Sequence, residues 1–334
     1  MGTDIYPIIW FGLIGFGLVL YIVLDGFTLG IGILFPLIKE GKQRDIMLTT
    51  ASPFWDGNQT WLVLSAAGLY GVFPLVYSTL LPAMYLPLIL MLMCLFFRGM
   101  TFEFHFKVQA HTRKWYAVGF LGTTIVTTFI QGMIVGSVIT GLPIENGRYS
   151  GGPLDWFTWF GFCSGIALVV GYALLGAGWL IVKTEGPLQE RCYRLIKPLM
   201  SLFIVGMIVV AVWTPLANAR IAERWFSFPH VLWVGAVALV MLLIALNVIR
   251  SATRRHEKLI FAQVIALFVL GSVGLAISLF PVMIPPDITI WQAASHRSSL
   301  TFLLVGYAIM LPTILGYSVF SYWVFRGKVR ESEG

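Results

Sequence analysis

The sequence predicts an all-α protein that crosses a membrane about nine times. Hydrophobic residues make up 58% of its 334 residues and charged residues only 11%, whereas soluble domains carry about 25% charge. Uninterrupted apolar stretches of about 20 residues, the length that spans a bilayer as a helix, recur along the chain. The loops between them are short, so we expect a single integral-membrane domain over 1–334 rather than a separate soluble domain.

The predicted spans, in chain order, are 7–38, 54–74, 78–97, 116–140, 156–182, 199–216, 228–248, 260–283 and 302–325. The first is too long for a bilayer at 1.5 Å per residue. We expect it to tilt, to break near Asp25 and Gly26, or to continue beyond the lipid. Its Gly26-x-x-x-Gly30 spacing provides a small-residue face that allows close helix packing. No positively charged region precedes it, so we expect it to stay as a helix rather than act as a cleaved signal.

The basic residues predict the orientation. Of the 22 lysines and arginines, 18 lie in the alternate loops 39–53, 98–115, 183–198, 249–259 and 326–334. The positive-inside rule then places the amino terminus outside and the carboxyl terminus in the cytoplasm, which requires an odd number of spans. Basic residues split among five short loops favour anionic lipid as a contact and do not indicate nucleic acid.

Two aspartates are the candidate functional residues. Asp25 lies in a run that is otherwise uncharged from residue 5 to 38, and Asp56 lies at the start of the second span. An ionisable group at membrane depth costs about 2.5–3.5 kcal/mol even on the lenient insertion scale. In the predicted topology both acids lie near the cytoplasmic face and could line one inlet for protons. The structural alternatives are that Asp56 only caps a helix start and that Asp25 bonds to backbone or to a neighbouring helix.

A third polar cluster follows the third span. Arg98, Glu103 and Lys107 alternate with aromatic residues, a pattern typical of a membrane boundary, where long basic side chains reach the interface. Glu103 and Lys107, at i and i+4, form either a simple surface pair or the cytoplasmic start of a proton path. Gln131 lies in the fourth span and is expected to hydrogen-bond between helices.

The sequence does not predict a metal or haem ligand in this chain. Membrane haems normally need a buried axial histidine or methionine, and no histidine falls within the middle of a predicted span. The three cysteines show neither metal spacing nor a haem-attachment motif, and we interpret them as packing residues. The five histidines are His105, His111, His230, His256 and His296, and the three cysteines are Cys94, Cys163 and Cys192.

These motifs together resemble subunit II of the cytochrome bd quinol oxidases, over most of the chain. The segment 183–189, Lys-Thr-Glu-Gly-Pro-Leu-Gln, resembles the cyanide-insensitive branch of that family. The most specific block is the one around Trp55. The residues that carry the resemblance are Asp25-Gly26-Phe27-Thr28-Leu29-Gly30-Ile31-Gly32, Trp55-Asp56-Gly57-Asn58-Gln59-Thr60-Trp61, and Phe97-Arg98-Gly99 with Phe102-Glu103-Phe104.

The resemblance implies a nine-helix subunit paired with a larger subunit I that carries two b haems, one d haem and the quinol-oxidising loop. The complex would oxidise ubiquinol or menaquinol and reduce dioxygen to water in a bacterial inner membrane, taking protons from the cytoplasm. The resemblance also allows for a small single-helix accessory subunit and a structural quinone. Carried over to this chain, Asp56 would be the proton relay, with Glu103 and Lys107 toward the cytoplasm and Asp25 on a second branch.

The sequence departs from the family pattern at two positions. Phe54 stands where some members have a histidine, and His105 stands where an arginine is common. A rival interpretation is a proton-coupled secondary transporter with Asp25 and Asp56 as coupling acids, but we find no inverted repeat of the kind such transporters show. A third is a structural scaffold in which each acid is a satisfied helix cap.

Overall fold

The computed structural model describes residues 4–38, 41–104, 107, 113–145, 148–286 and 288–329. Long helices dominate it, with a short 3-10 turn at Phe35–Leu37 after the first. The helices are α1 Tyr6–Leu34, α2 Gly41–Ala51, α3 Trp55–Val72, α4 Pro74–Phe104, α5 Arg113–Thr140, α6 Trp159–Lys183, α7 Gly186–Ala217, α8 Ala219–Phe226, α9 His230–Thr253, α10 Glu257–Leu279, α11 Ile290–Ala293 and α12 Arg297–Val324.

Two small antiparallel hairpins occupy loops between helices. Strands β1 (Ile144–Glu145) and β2 (Arg148–Tyr149) pair with Ile144 opposite Tyr149. Strands β3 (Val282–Ile284) and β4 (Ile288–Thr289) pair with a register shift between Val282 and Ile284. The first hairpin connects α5 to α6, and the second connects α10 to the short helix α11.

Within the described residues, eight helices are long and apolar enough to cross a membrane. They are α1, α4, α5, α6, α7, α9, α10 and α12. The remaining predicted span, 54–74, corresponds to α3, which has 18 residues and opens with the polar sequence Trp-Asp-Gly-Asn-Gln-Thr. The prediction of an all-α polytopic membrane protein is therefore confirmed.

Helix α1 lies at the centre of the bundle. It is continuous from Tyr6 to Leu34, so the helix does not break at Asp25 and Gly26. Every residue from Asp25 to Gly32 is buried, because α5 and α6 pack on this half of the helix.

Glycine allows α1 and α6 to approach until their backbones touch. A Cβ at Gly30 would collide with the carbonyl oxygen of Tyr172, and the backbone of Gly176 lies beside it. The prediction that the Gly26-x-x-x-Gly30 face permits close packing is thus confirmed. Gly26 contacts the Tyr172 ring, 2.9 Å from where its Cβ would lie.

Helix α4 bends at Met84, whose φ of −116° and ψ of 16° are not helical. Pro82 and Pro87 flank this residue, and an internal proline both removes a backbone donor and clashes with the preceding turn. Beyond the bend the helix continues past the predicted end at residue 97 to Phe104. This extension carries Arg98 and Glu103.

Candidate functional site

Asp25 of α1 forms an ion pair with Arg98 of α4 in the interior of the bundle. The Arg98 Nη2 atom donates to both carboxylate oxygens at 2.9 Å, and both side chains have an exposed fraction of 0%. Thr28, one turn along α1, donates its hydroxyl to Asp25 Oδ1 at 2.6 Å and accepts from Arg98 Nη1 at 3.1 Å. The carboxylate is therefore neutralised by the guanidinium through a single nitrogen, Nη2.

The expectation that Arg98 reaches the membrane interface is wrong. Its side chain turns inward because Asp25 offers a counter-ion at the same level of the bundle. A buried charge is tolerated only when it is paired and hydrogen-bonded, and a planar guanidinium matches a carboxylate well. The alternative that Asp25 bonds to a neighbouring helix is the arrangement found.

Asp56 has the opposite environment. It lies in the first turn of α3, where free backbone N–H groups favour a carboxylate, and its side chain is exposed at the surface of the chain. It makes no ion pair with the residues that the structure describes. Because Asp25 is sealed and Asp56 faces outward, the two acids do not line a common open inlet.

Hydrogen bonds from residues near Asp56 attach the start of α3 to two other helices. Asn58 donates from Nδ2 to the carbonyl oxygen of Leu24 at 2.7 Å and accepts from the Tyr322 hydroxyl at 3.0 Å. Trp61 donates to Ser318 Oγ of α12 at 3.3 Å. These bonds hold the helix start against α1 and α12.

Small and aromatic residues complete this attachment. Trp55 stacks on Phe102 with ring centroids 5.8 Å apart, and its ring lies 2.9 Å from where a Cβ of Gly99 would be. Gly57 faces Tyr317 of α12. Gln59, by contrast, has a buried Nε2 atom without a hydrogen-bond partner among the described residues.

Glu103 and Lys107 lie at the exposed end of α4. Their charged atoms are 3.9 Å apart, and the side chains are 60% and 68% exposed. The predicted i, i+4 pair is confirmed. A solvent-exposed pair of this kind contributes about 0–1 kcal/mol, so it leaves both groups free to interact with water.

Gln131 bridges two tyrosines from different helices. Its Nε2 atom donates to the Tyr21 hydroxyl of α1 at 2.6 Å, and its Oε1 atom accepts from the Tyr172 hydroxyl of α6 at 3.1 Å. The prediction that Gln131 hydrogen-bonds between helices is confirmed.

Sequence reasoning missed the role of Lys183. This largely buried residue at the end of α6 donates to the carbonyl oxygens of Phe325 and Gly327, while Lys328 pairs with Glu257 at 2.9 Å. The carboxyl-terminal segment is thereby fixed across the ends of α6 and α10. A lysine at the carboxyl end of a helix indicates hydrogen bonding to free carbonyl groups. The partners of Lys183 lie more than 140 residues away, however, and no local pattern indicates them.

The described histidines and cysteines form no metal-binding group. His230, His256 and His296 are exposed at helix starts, while His105 and His111 lie outside the described residues. In that described part, no three His, Cys, Asp or Glu side chains are grouped to hold a metal ion. Cys94, Cys163 and Cys192 are free thiols.

Comparison with known proteins gives the family. The family model described as cytochrome bd terminal oxidase subunit II matches residues 6–325. The chain belongs to this family. It is therefore a multi-pass bacterial membrane protein and a subunit of an oxidoreductase complex that contains haem and a second, partner subunit.

Its relatives match over almost their whole length. Subunit 2 of the cytochrome bd-I ubiquinol oxidase of Escherichia coli (strain K12) is 25% identical, covering 99% of this chain and 97% of that protein. Subunit 2 of the cytochrome bd ubiquinol oxidase of Bacillus subtilis (strain 168) is 26% identical, covering 97% of each. A chain of the bd oxidase from Geobacillus thermodenitrificans has the same fold, with a TM-score of 0.76 at 16% identity over 96% of this chain and 99% of that one.

Proposed function

We propose that this chain delivers protons from the cytoplasm to a haem-bearing subunit I, which oxidises quinol and reduces dioxygen to water. The observation that carries the proposal is the contrast between the two acids: Asp25 is neutralised inside the chain, whereas Asp56 is presented outward. A carboxylate on a membrane-embedded surface is costly in lipid. A second subunit that covers Asp56 and offers polar partners to its carboxylate would remove that cost.

The surface around Asp56 is the proposed interface with subunit I. Along α3, Thr60, Val63 and Tyr70 are exposed on the same face as Asp56, at the spacing of successive helical turns. Tyr317 of α12 borders this face and is 60% exposed. An exposed apolar face that contains one acid fits a partner helix better than it fits lipid.

The proposed path begins at the exposed end of α4. Glu103 and Lys107 are accessible to water and stand on the side of the bundle that the positive-inside rule assigns to the cytoplasm. From there the path would lead to Asp56. We place the chain in the bacterial inner membrane. In this topology the amino terminus is outside and the carboxyl terminus is in the cytoplasm.

Asp25 belongs to a second branch in this proposal. Asp25 is sealed inside the bundle, where Arg98 and Thr28 hold its carboxylate. The branch would therefore contribute less proton flux than Asp56. The main role of the Asp25–Arg98 ion pair would then be to attach α1 to α4.

Several further features of the complex belong to the same proposal. Subunit I would hold two b haems and one d haem, because the described residues of this chain provide no ligand set for them. The names of the relatives support ubiquinol as the substrate. A structural quinone, a small single-helix accessory subunit and bound membrane lipid would complete an assembly in which residues 1–334 form one integral-membrane domain.

The test is Asp56→Asn in the purified complex. We expect turnover of quinol and dioxygen to fall about tenfold or more, since a positioned proton-transfer group contributes about 10²–10⁴-fold, while haem content stays normal. Glu223→Gln, at an exposed acid of α8, is the matched control and should retain turnover. Normal turnover in a fully haem-loaded Asp56→Asn complex would remove Asp56 from the path.

The transporter alternative predicts solute uptake by the chain reconstituted alone. One of its two coupling acids, Asp25, is held by Arg98, and the family match covers nearly the whole chain. Both observations favour the oxidase.

A further inference from the structure

Lys183 carries a buried positive charge at the end of α6. Only 5% of this residue is exposed, although a lysine at a helix end can normally extend its ammonium group to water. The ammonium group instead donates to the carbonyl oxygens of Phe325 and Gly327. It also lies 5.2 Å from the ring centroid of Trp179 and 5.6 Å from that of Phe54. Carbonyl oxygens and aromatic faces therefore replace the water that a buried cation loses.

Phe54, one of these two aromatic residues, is the residue at which α3 begins. It is the N-cap of the helix, and its carbonyl oxygen accepts the N–H of Asn58 at 2.9 Å. Asp56 lies within this first turn. The Phe54 side chain is buried, so a contact on its ring bears directly on the position of the turn that carries Asp56.

The last turn of α12 and the residues after it pack on the same ring. Tyr322 stacks on Phe54 with the ring centroids 4.4 Å apart, and the Phe325 ring meets it edge-on with the centroids 6.0 Å apart. Further along, the Val329 N–H donates to the carbonyl oxygen of Lys183 at 2.8 Å. Lys183 is thus bonded to this carboxyl-terminal segment through both its side chain and its backbone, and its ammonium group contacts Phe54 as well.

We propose that Lys183 is a positioning residue for Asp56. By holding the carboxyl-terminal segment and the Phe54 ring together, it fixes where the first turn of α3 presents its carboxylate. The inference rests on the proposed function, in which Asp56 passes protons toward subunit I. Proton transfer requires donor and acceptor atoms within about 2.6–3.2 Å of each other, so a small displacement of this turn slows the transfer.

The first test measures the order of this turn directly, by hydrogen exchange in the purified complex. Lys183→Met keeps a long unbranched side chain and removes the charge and the N–H donors. We expect the Asn58 amide to exchange about fivefold faster or more, since losing a desolvated cation–π contact changes an equilibrium by about that factor. Lys197→Met, at an exposed lysine of α7, is the matched control and should exchange at the wild-type rate. Equal exchange in the two variants would overturn the proposal.

The second test asks whether Lys183 acts through Asp56. Lys183→Met should lower turnover of quinol and dioxygen about tenfold or more at normal haem content, since a misplacement of about 1 Å can cost about 10²-fold. In an Asp56→Asn background it should cause no further loss. A general structural effect would lower turnover by the same factor in both backgrounds and would contradict the proposal.

The turnover data also separate this inference from the proton path. Normal turnover of Asp56→Asn alone would remove the path, and with it the role of Lys183 in catalysis. Slow turnover of Asp56→Asn together with normal turnover of Lys183→Met would leave the path in place and overturn only the role of Lys183.

A shortened chain provides a second variant if Lys183→Met does not assemble. Ending the chain at Arg326 removes Gly327 and Val329, and with them the side-chain bond to the Gly327 carbonyl and the backbone bond from Val329. It leaves the whole of α12 in place. The shortened chain should show the same faster exchange in the first turn of α3, and a wild-type rate there would overturn the proposal.

Discussion

Asp25 of α1 and Asp56 of α3 show how one residue type occupies two different environments. A charged side chain needs a counter-ion in a medium of low dielectric constant. Asp25 and Arg98 are counter-ions for each other. Asp56 lies in the first turn of a helix, where the backbone N–H groups stabilise its charge without a cation. Of the two acids, only Asp56 is exposed at the surface of the chain.

The ion pair predicts a non-additive double-mutant cycle. Arg98→Met should lower the free energy of unfolding by about 3–5 kcal/mol, because it leaves a buried carboxylate without its counter-ion. Asp25→Leu should have a similar effect for the converse reason. The double variant Asp25→Leu with Arg98→Met should lose less than either single variant, since no buried charge is left unpaired.

Thermal unfolding of the detergent-solubilised complex measures this cycle. Single-variant losses that simply add in the double variant would show that the two side chains do not act as a pair. Turnover of the double variant also reports on the second branch, because that variant lacks the Asp25 carboxylate.

At the scale of elements, contacts between helix backbones hold the bundle together. Lipid tails are as apolar as leucine, so membrane helices gain little from burying apolar side chains and depend on close packing. Gly30 on α1 and Gly176 on α6 meet in this way, and Gly132 of α5 meets Gly165 of α6 in the same manner. Helix α6 is consequently the element on which both α1 and α5 rest.

The backbone contact predicts a strong effect of one added methyl group. Gly30→Ala should force α1 and α6 apart, since its Cβ would meet the Tyr172 carbonyl, a backbone atom that cannot rotate away. Overpacking typically costs about 1–3 kcal/mol, and occasionally more. We expect a lower yield of haem-loaded complex and a lower Tm.

Gly15→Ala, on the same helix, is the control because open space surrounds its Cβ position. It should leave yield and Tm unchanged. Equal behaviour of the two variants would mean that the α1–α6 contact does not limit assembly.

At the scale of the whole molecule, the distribution of charge predicts the orientation in the membrane. The basic residues concentrate at one end of the bundle, whereas much of α7, α9 and α12 exposes large apolar side chains. Such broad apolar exposure is expected of surfaces covered by lipid or by other subunits.

The orientation can be tested with two new cysteines. Arg148→Cys in the β1–β2 hairpin and Lys42→Cys in α2 both replace exposed basic residues at opposite ends of the bundle in the predicted topology. A membrane-impermeant maleimide should label Arg148→Cys in intact spheroplasts and Lys42→Cys only after lysis. The chain with only its three native cysteines serves as the baseline, and the reverse labelling pattern would contradict the topology.

Local patterns predicted much of this structure. Apolar run length identified the long helices, and helical spacing identified the Glu103–Lys107 pair and the Gly26–Gly30 face. These features depend on neighbours within a turn or two, which a sequence displays directly. Arg98 was misplaced because its position beside aromatic residues fits a membrane boundary, and nothing local reveals that Asp25 lies opposite, 73 positions earlier.

The sequence by itself determined the class of the protein, its helices, its expected orientation and the two acids that need explanation, because hydropathy, charge and helical period are local quantities. Tertiary structure alone decided which acid is paired and which is exposed, and that Lys183 holds the carboxyl-terminal segment. These outcomes depend on which helix faces come together, and that is set by packing between segments far apart in the chain.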